Sequence, residues 1–147
     1  MINSKRLIQE FCELVAIDST SFHERQMADV LKNKMTELQI DVFEDCAGDL
    51  YQGDAGNLYG FLKGDLPGKP LLFSSHMDTV EPGCQKKAMI QENGKITSDG
   101  TTVLGADDIA GIVAILESIR VLKENHIPHR DIEILFPIAE EVYIQGS

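Results

Sequence analysis

The stretch PLLFSSHMDTV, residues 70–80, joins a short apolar run to a polar cluster. Residues 70–73 are all apolar, which predicts a strand buried on both faces of a sheet. The run ends in two serines, and His76 and Asp78 follow directly. Because ligands in open α/β sheets collect beyond the carboxyl ends of strands, these two side chains mark a candidate site.

Periodicity on both sides of this stretch alternates between helix and strand. Apolar residues at helical spacing predict a helix over 4–16, a second that begins at a Ser21/Glu24 capping box and runs to about 38, and a third over 108–124. Apolar runs predict further strands at 40–44, 58–62 and 131–138, and Asn93-Gly94 predicts a hairpin within 89–96. The interleaving predicts an α/β fold with a mixed, mostly parallel sheet and helices on both faces.

Composition narrows the classes of protein and partner. A length of 147 residues suits one domain, and 43% hydrophobic residues with no apolar run of roughly 20 residues argue against a membrane span. A net charge of −11 makes nucleic acid a poor partner, since phosphate binding needs clustered basic residues. The three cysteines include no C-x-x-C pair, and residues 1–6 lack the features of a signal peptide. We therefore expect reduced thiols, a cytoplasmic location, and no membrane or nucleic-acid partner.

Three polar clusters lie at predicted element ends: His76 and Asp78, Asp107-Asp108, and Glu140-Glu141. Taken singly, each has an ordinary explanation: a loop histidine bonded to a carboxylate, a helix N-cap, and a solvated surface pair. Taken together, they place several carboxylates close to one another, and the repulsion between these negative charges would be costly unless a cation neutralised them. His, Asp and Glu without Cys form the ligand set of a catalytic zinc site, in which Asp107 could bridge two ions.

The motifs also resemble a known family when read in order. They are residues 75–80 (SHMDTV), 98–111 (SDGTTVLGADDIAG) and 139–141 (AEE). Together they resemble the peptidase T group of the co-catalytic dizinc exopeptidases and deacylases, which also includes carboxypeptidase G and succinyl-diaminopimelate desuccinylase. The resemblance implies the catalytic α/β domain of that family, two zinc ions and hydrolysis of the N-terminal peptide bond of a short peptide such as a tripeptide.

The resemblance also implies a role for each site residue. His76 would bind one zinc, and Asp78 would hydrogen-bond the other nitrogen of its ring. Asp107 would bridge both zincs, with a cis peptide bond after it. Glu140 would act as the general base and Glu141 would bind the second zinc.

Relatives in this family are longer, which shapes the remaining expectations. They continue with a further carboxylate ligand, an inserted dimerisation domain and a C-terminal histidine ligand. Residues 1–147 would thus be the N-terminal portion of the catalytic domain, with little activity alone and a tendency to self-associate, whereas full-length relatives would form homodimers. Two alternatives stay open: a dizinc deacylase or carboxypeptidase of the same family, and a non-catalytic metal-binding remnant.

Overall fold

The computed structural model describes residues 1–144 and 146, and within them helices and strands alternate along the chain. The elements, numbered by type, are α1 (Ser4–Val15), α2 (Arg25–Glu37), β1 (Asp41–Glu44), β2 (Leu58–Leu62), β3 (Leu71–Ser74), β4 (Met89–Ile90), β5 (Ile96–Thr97), α3 (Ala106–Glu124) and β6 (Ile132–Phe136). A short 3₁₀ turn at Ala47–Leu50 precedes β2. All the elements predicted from periodicity are present, and their bounds differ from the predicted ones by no more than four residues. No helix in the described part is long and apolar enough to cross a membrane.

Four of the strands form a mixed sheet in the order β1-β2-β6-β3. The α/β class with a mixed sheet is confirmed, but the expectation of mostly parallel pairing is corrected. β1 with β2 and β2 with β6 are antiparallel, and β3 with β6 is parallel. β1 reaches β2 through a loop, whereas β3 reaches β6 through a crossover that contains α3, and parallel neighbours need such a crossover.

The helices of the described part lie on one face of this sheet, which corrects the prediction of helices on both faces. Side chains alternate along β2 and β6 so that Leu58, Leu62, Ile132, Ile134 and Phe136 are buried. α2 contacts β1 and β2 on this side, and α1 packs against α3. The helical layer therefore buries one apolar face of the sheet and forms the core with it.

The opposite face of the sheet is exposed in the described part of the chain. Its large apolar side chains are Phe43, Tyr59, Phe61 and Leu72. The prediction that β3 is buried on both faces is therefore wrong: Leu71, Leu72 and Phe73 are 44%, 60% and 42% exposed. Within residues 1–144 and 146, β3 is an edge strand with β6 as its one sheet neighbour. Apolar composition alone does not reveal which strand lies at an edge.

The predicted hairpin is confirmed as a small separate sheet. β4 and β5 pair in antiparallel fashion, with Ile90 opposite Ile96. The connection is a three-residue loop over 92–94, because the Gln91 N–H donates to the Lys95 carbonyl oxygen at 2.8 Å and the Gly94 N–H donates back to the Gln91 carbonyl oxygen at 2.9 Å. Gly94 closes this loop with φ +81°, a left-handed value that glycine adopts without steric cost.

Candidate metal centre

Three side chains from separate segments meet at one end of the sheet. His76 follows β3, Asp107 stands in the first turn of α3, and Glu141 follows β6. One donor atom from each lies within 4.8 Å of the other two. β3 and β6 run parallel with Ser74 opposite Leu135, so the segments that leave their carboxyl ends emerge side by side. The juxtaposition thus follows from sheet topology.

His76 faces acidic partners on both sides of its ring. Its Nδ1 lies 2.9 Å from the Asp78 carbonyl oxygen and 3.3 Å from Asp78 Oδ1. Its Nε2 lies 3.1 Å from Asp107 Oδ1 and 3.9 Å from Glu140 Oε2. Burial lowers the pKa of His76, but the Asp78 and Asp107 carboxylates outweigh burial and raise that pKa to about 9. The contact of Asp78 with the ring, which the resemblance implied, is therefore present.

Asp78 is almost fully buried and links the site to two other segments. Its Oδ2 accepts from Ser21 Oγ at 2.6 Å and from the Glu141 N–H at 3.1 Å, and its Oδ1 accepts from the Glu140 N–H at 3.0 Å. Burial acts to raise the pKa of Asp78, but the His76 ring and these donors lower it below its ordinary value. The side chain is thus held as a carboxylate that accepts hydrogen bonds.

Asp107 and Asp108 stand where the chain enters α3 with non-helical backbone angles. The peptide bond between them is cis, as the resemblance implied. Ser75 Oγ donates to the Asp108 carbonyl oxygen at 2.9 Å, which ties the end of β3 to this turn. The Asp107 side chain stays 86% exposed and so remains open to a ligand.

Gly105 lies where the turn before α3 packs closely against the segment that follows β3. It has φ +75°, and a Cβ there would lie 3.0 Å from Thr79 Cγ2 and 3.3 Å from Lys86 Cε. A side chain would therefore face both a strained backbone and a close neighbour. Glycine lets the start of α3 lie against the segment that carries His76.

Glu140 and Glu141 complete an acidic group at the site. Burial raises the pKa of Glu141, and Asp107, Asp78 and Glu140 raise it further against the opposing effect of His76. Among the described residues, no lysine or arginine forms a salt bridge with Asp107, Glu140 or Glu141. In the described part of the chain, positive charge beside these carboxylates therefore comes from the His76 ring and not from lysine or arginine.

These residues fit a divalent metal ion. An imidazole nitrogen and two carboxylate oxygens are donors that zinc accepts, and three protein ligands are usual at a catalytic zinc. Asp78 adds the hydrogen-bonded support that ligating histidines normally have. A cavity of about 280 Å³ borders Asp107 and Glu141 and gives access to these two carboxylates. Its other lining residues are Thr79, Val80, Val103, Leu104, Gly105 and Ala106.

The capping box predicted at Ser21 and Glu24 is not formed, and both side chains support the site instead. Ser21 and Glu24 have capping-box spacing, yet neither side chain forms a capping hydrogen bond for α2. Ser21 donates to Asp78, and Glu24 accepts from the backbone of Phe22 and Ala139. The Arg25 N–H is instead satisfied by Asp54. The spacing of Ser21 and Glu24 is that of a capping box, but each side chain forms a hydrogen bond with a residue remote in sequence, Asp78 or Ala139.

Comparison with known proteins places this geometry in a family context. The chain is 48% identical over all its 147 residues to the uncharacterized protein YqjE of Bacillus subtilis and spans 39% of that protein. It superposes on a tripeptidase from Staphylococcus aureus with a TM-score of 0.96 and 42% identity, covering 99% of this chain and 39% of the other. It superposes on the aminopeptidase PepT from Bacillus cereus with a TM-score of 0.92 and 46% identity, covering 96% and 38%.

The chain therefore spans about two fifths of the length of these relatives. Residues 57–147, which include the three clusters, match the peptidase family M28. That match covers more than half of the chain. The chain belongs to peptidase family M28.

Proposed function

We propose that this chain forms part of a zinc-dependent aminopeptidase that removes the N-terminal residue of short peptides, tripeptides in particular. The observation that carries the proposal is the convergence of His76, Asp107 and Glu141 donors within 4.8 Å, with Glu140 beside them. The names of the two superposed structures, a tripeptidase and an aminopeptidase, support the reaction class. The cytoplasmic location inferred from the sequence stays a prediction.

The chain's own residues divide the chemistry between them. His76, Asp107 and Glu141 would hold the metal, which when bound polarises a carbonyl oxygen and lowers the pKa of water. Glu140, whose Oε2 lies 3.9 Å from His76 Nε2, would take a proton from the attacking water and pass it to the departing amine as the C–N bond breaks. Asp78 would keep the His76 ring oriented.

A chimera tests the proposal directly. Residues 1–147 would replace the aligned part of the Staphylococcus aureus tripeptidase, and hydrolysis of a tripeptide would be measured with zinc present. We expect turnover, and a loss of at least about 100-fold in kcat for the Glu140→Gln chimera, because general-base catalysis contributes at least that factor. The matched control is Glu37→Gln, an exposed glutamate at the end of α2.

Three outcomes decide the matter. A folded chimera that binds zinc without hydrolysing any peptide would contradict the proposal, as would a Glu140→Gln chimera with full activity. Turnover of an N-acetyl amino acid in place of the tripeptide would overturn the substrate assignment in favour of a deacylase.

For the 147-residue chain alone we propose little or no peptidase activity. If two ions share three donors, each has two protein ligands, fewer than the three usual at a catalytic zinc. Tripeptide hydrolysis by the purified chain with added zinc is therefore expected to stay at the level of its Glu140→Ala variant. Robust turnover that this change abolishes would show that the site is complete.

A further inference from the structure

Three consecutive backbone N–H groups beside the candidate metal centre donate to two buried carboxylates. The Ala139 N–H donates to Glu24 Oε1 at 3.0 Å. The next two N–H groups, of Glu140 and Glu141, donate to Asp78 at 3.0 and 3.1 Å. The segment that carries both acidic site residues is thus held along its backbone by Glu24 and Asp78 together.

Glu24 is fully buried, and its burial is costly. Its Oε1 also accepts from the Phe22 N–H at 2.9 Å, whereas Oε2 has no hydrogen-bond partner among the described residues. Burial, with a smaller contribution from the nearby Asp78, raises the pKa of Glu24 to about 7 against the opposing effect of these backbone hydrogen bonds. A buried carboxyl with an unpaired oxygen destabilises a fold, so stability alone gives no reason for an acidic group here.

The contact of Glu24 with Ala139 has a clear geometric effect. Ala139 is buried and has φ +52°, a left-handed conformation that residues with a Cβ seldom adopt. It is the residue directly before Glu140, so its backbone angles decide where the next two side chains leave the chain. A hydrogen bond to its N–H stabilises this turn from the side of α2.

We propose that Glu24 is a positioning residue of the metal centre, which fixes Ala139 so that Glu140 and Glu141 face His76 and Asp107. The proposal rests on the proposed function for the identity of the metal site. The reach of the side chain, rather than its charge, performs this role, because the contact with Ala139 is a single hydrogen bond to an oxygen.

Two variants of the 147-residue chain separate reach from charge. Glu24→Asp keeps the carboxylate but shortens the side chain by one methylene, so its oxygen falls short of the Ala139 N–H. Glu24→Gln keeps the length and the accepting oxygen but removes the charge. Glu37→Asp, on the exposed end of α2, is the matched control.

The readouts are zinc affinity, by competition with a chromogenic chelator, and amide hydrogen exchange at residues 139–141 by NMR. We expect Glu24→Asp to lower zinc affinity by about 10-fold, as loss of outer support for metal ligands does, and to speed exchange at Ala139. Glu24→Gln and the control are expected to keep zinc affinity within about 3-fold of the unmodified chain.

The pattern of outcomes is decisive. Loss of affinity in Glu24→Gln with retention in Glu24→Asp would assign the effect to charge and overturn the proposal. Unchanged affinity and exchange in Glu24→Asp would also overturn it. An unmodified chain that binds no zinc would refute the metal site itself, and the exchange rate at Ala139 would then decide the role of Glu24 separately.

Discussion

Asp78 is the residue on which three segments of the site converge. Its carboxylate contacts the His76 ring, the Ser21 hydroxyl, and the N–H groups of Glu140 and Glu141. The resemblance to the dizinc exopeptidases implied the contact with the His76 ring. The other contacts span 57 to 63 residues, and local periodicity carries no information about such distances.

Replacing Asp78 with alanine is expected to weaken zinc binding by the chain about 10–100-fold. The imidazole loses the partner that fixes its tautomer, and the Glu140-Glu141 segment loses two acceptors. Chelator competition measures the effect, with Asp49→Ala in the exposed 3₁₀ turn as the control. Equal affinities for the two variants would refute the supporting role of Asp78.

Gly105 offers a test of the turn that leads into α3. Gly105→Ala is expected to destabilise the fold by about 1–2 kcal/mol, because a left-handed residue with a Cβ is strained by that amount. The new methyl would also crowd Thr79. Urea unfolding measures the change against Gly53→Ala, where the nearest atom lies 3.5 Å from the added carbon. A Gly105→Ala chain as stable as Gly53→Ala would contradict this account of the turn.

At the scale of elements, α2 and β1 are joined by a cluster of ion pairs around Glu44. Arg25 donates two hydrogen bonds to this carboxylate, at 2.6 and 3.0 Å, and Lys32 donates one at 2.7 Å. The Gly56 N–H adds another at 3.0 Å. The Arg25 contact in particular lowers the pKa of Glu44 to about 2.

The stability that Glu44 contributes therefore depends on pH in a defined direction. Because its pKa is lower in the folded than in the unfolded chain, the contribution is complete above about pH 4.5 and is lost as pH falls toward 2. Glu44→Gln is expected to reduce the free energy of unfolding by about 1–3 kcal/mol at pH 7 and to flatten its decline below pH 4.5. Urea unfolding at several pH values measures this effect, with Glu37→Gln as the control. If the free energy of unfolding of Glu44→Gln and of the unmodified chain declined in parallel as pH falls, the prediction would be wrong.

The positions of helices and strands were more predictable from the sequence than which of their faces are buried by neighbouring elements. Helical periodicity located α1, α2 and α3, because each helix buries one stripe of side chains. The same reasoning misjudged β3, whose apolar run resembles that of a central strand although it lies at the edge. Whether a neighbour covers a strand depends on the order of strands in the sheet, which the sequence of one strand does not contain.

At the scale of the whole molecule, the exposed face of the sheet is the feature from which we infer self-association of the chain. Phe43, Tyr59 and Phe61 lie on adjacent strands of the face opposite the helices, and Leu72 lies on the same face beyond Glu133, which stands between Phe61 and Leu72. Exposed apolar patches of this kind favour association, while the net charge of −11 opposes it. We therefore propose that the chain self-associates, and more strongly at high salt, because salt screens the charge.

Analytical ultracentrifugation at low and high salt tests this association. Phe61→Lys, in the centre of the exposed face, is expected to shift the chain toward monomer. Leu66→Lys is the control, since this exposed leucine lies in the loop between β2 and β3. Identical association by both variants would place the contact elsewhere on the surface.

The structure brings three metal-donor side chains together: His76 after β3, Asp107 at the start of α3 and Glu141 after β6. Zinc titration of the 147-residue chain tests most directly whether they bind a metal ion. Isothermal titration calorimetry would compare the unmodified chain with His76→Ala, Glu141→Gln and the control His129→Ala, which alters a histidine outside the site. We predict saturable zinc binding that His76→Ala and Glu141→Gln each weaken at least 10-fold and that His129→Ala leaves unchanged. Absence of zinc binding, or equal binding by all four chains, would contradict the account.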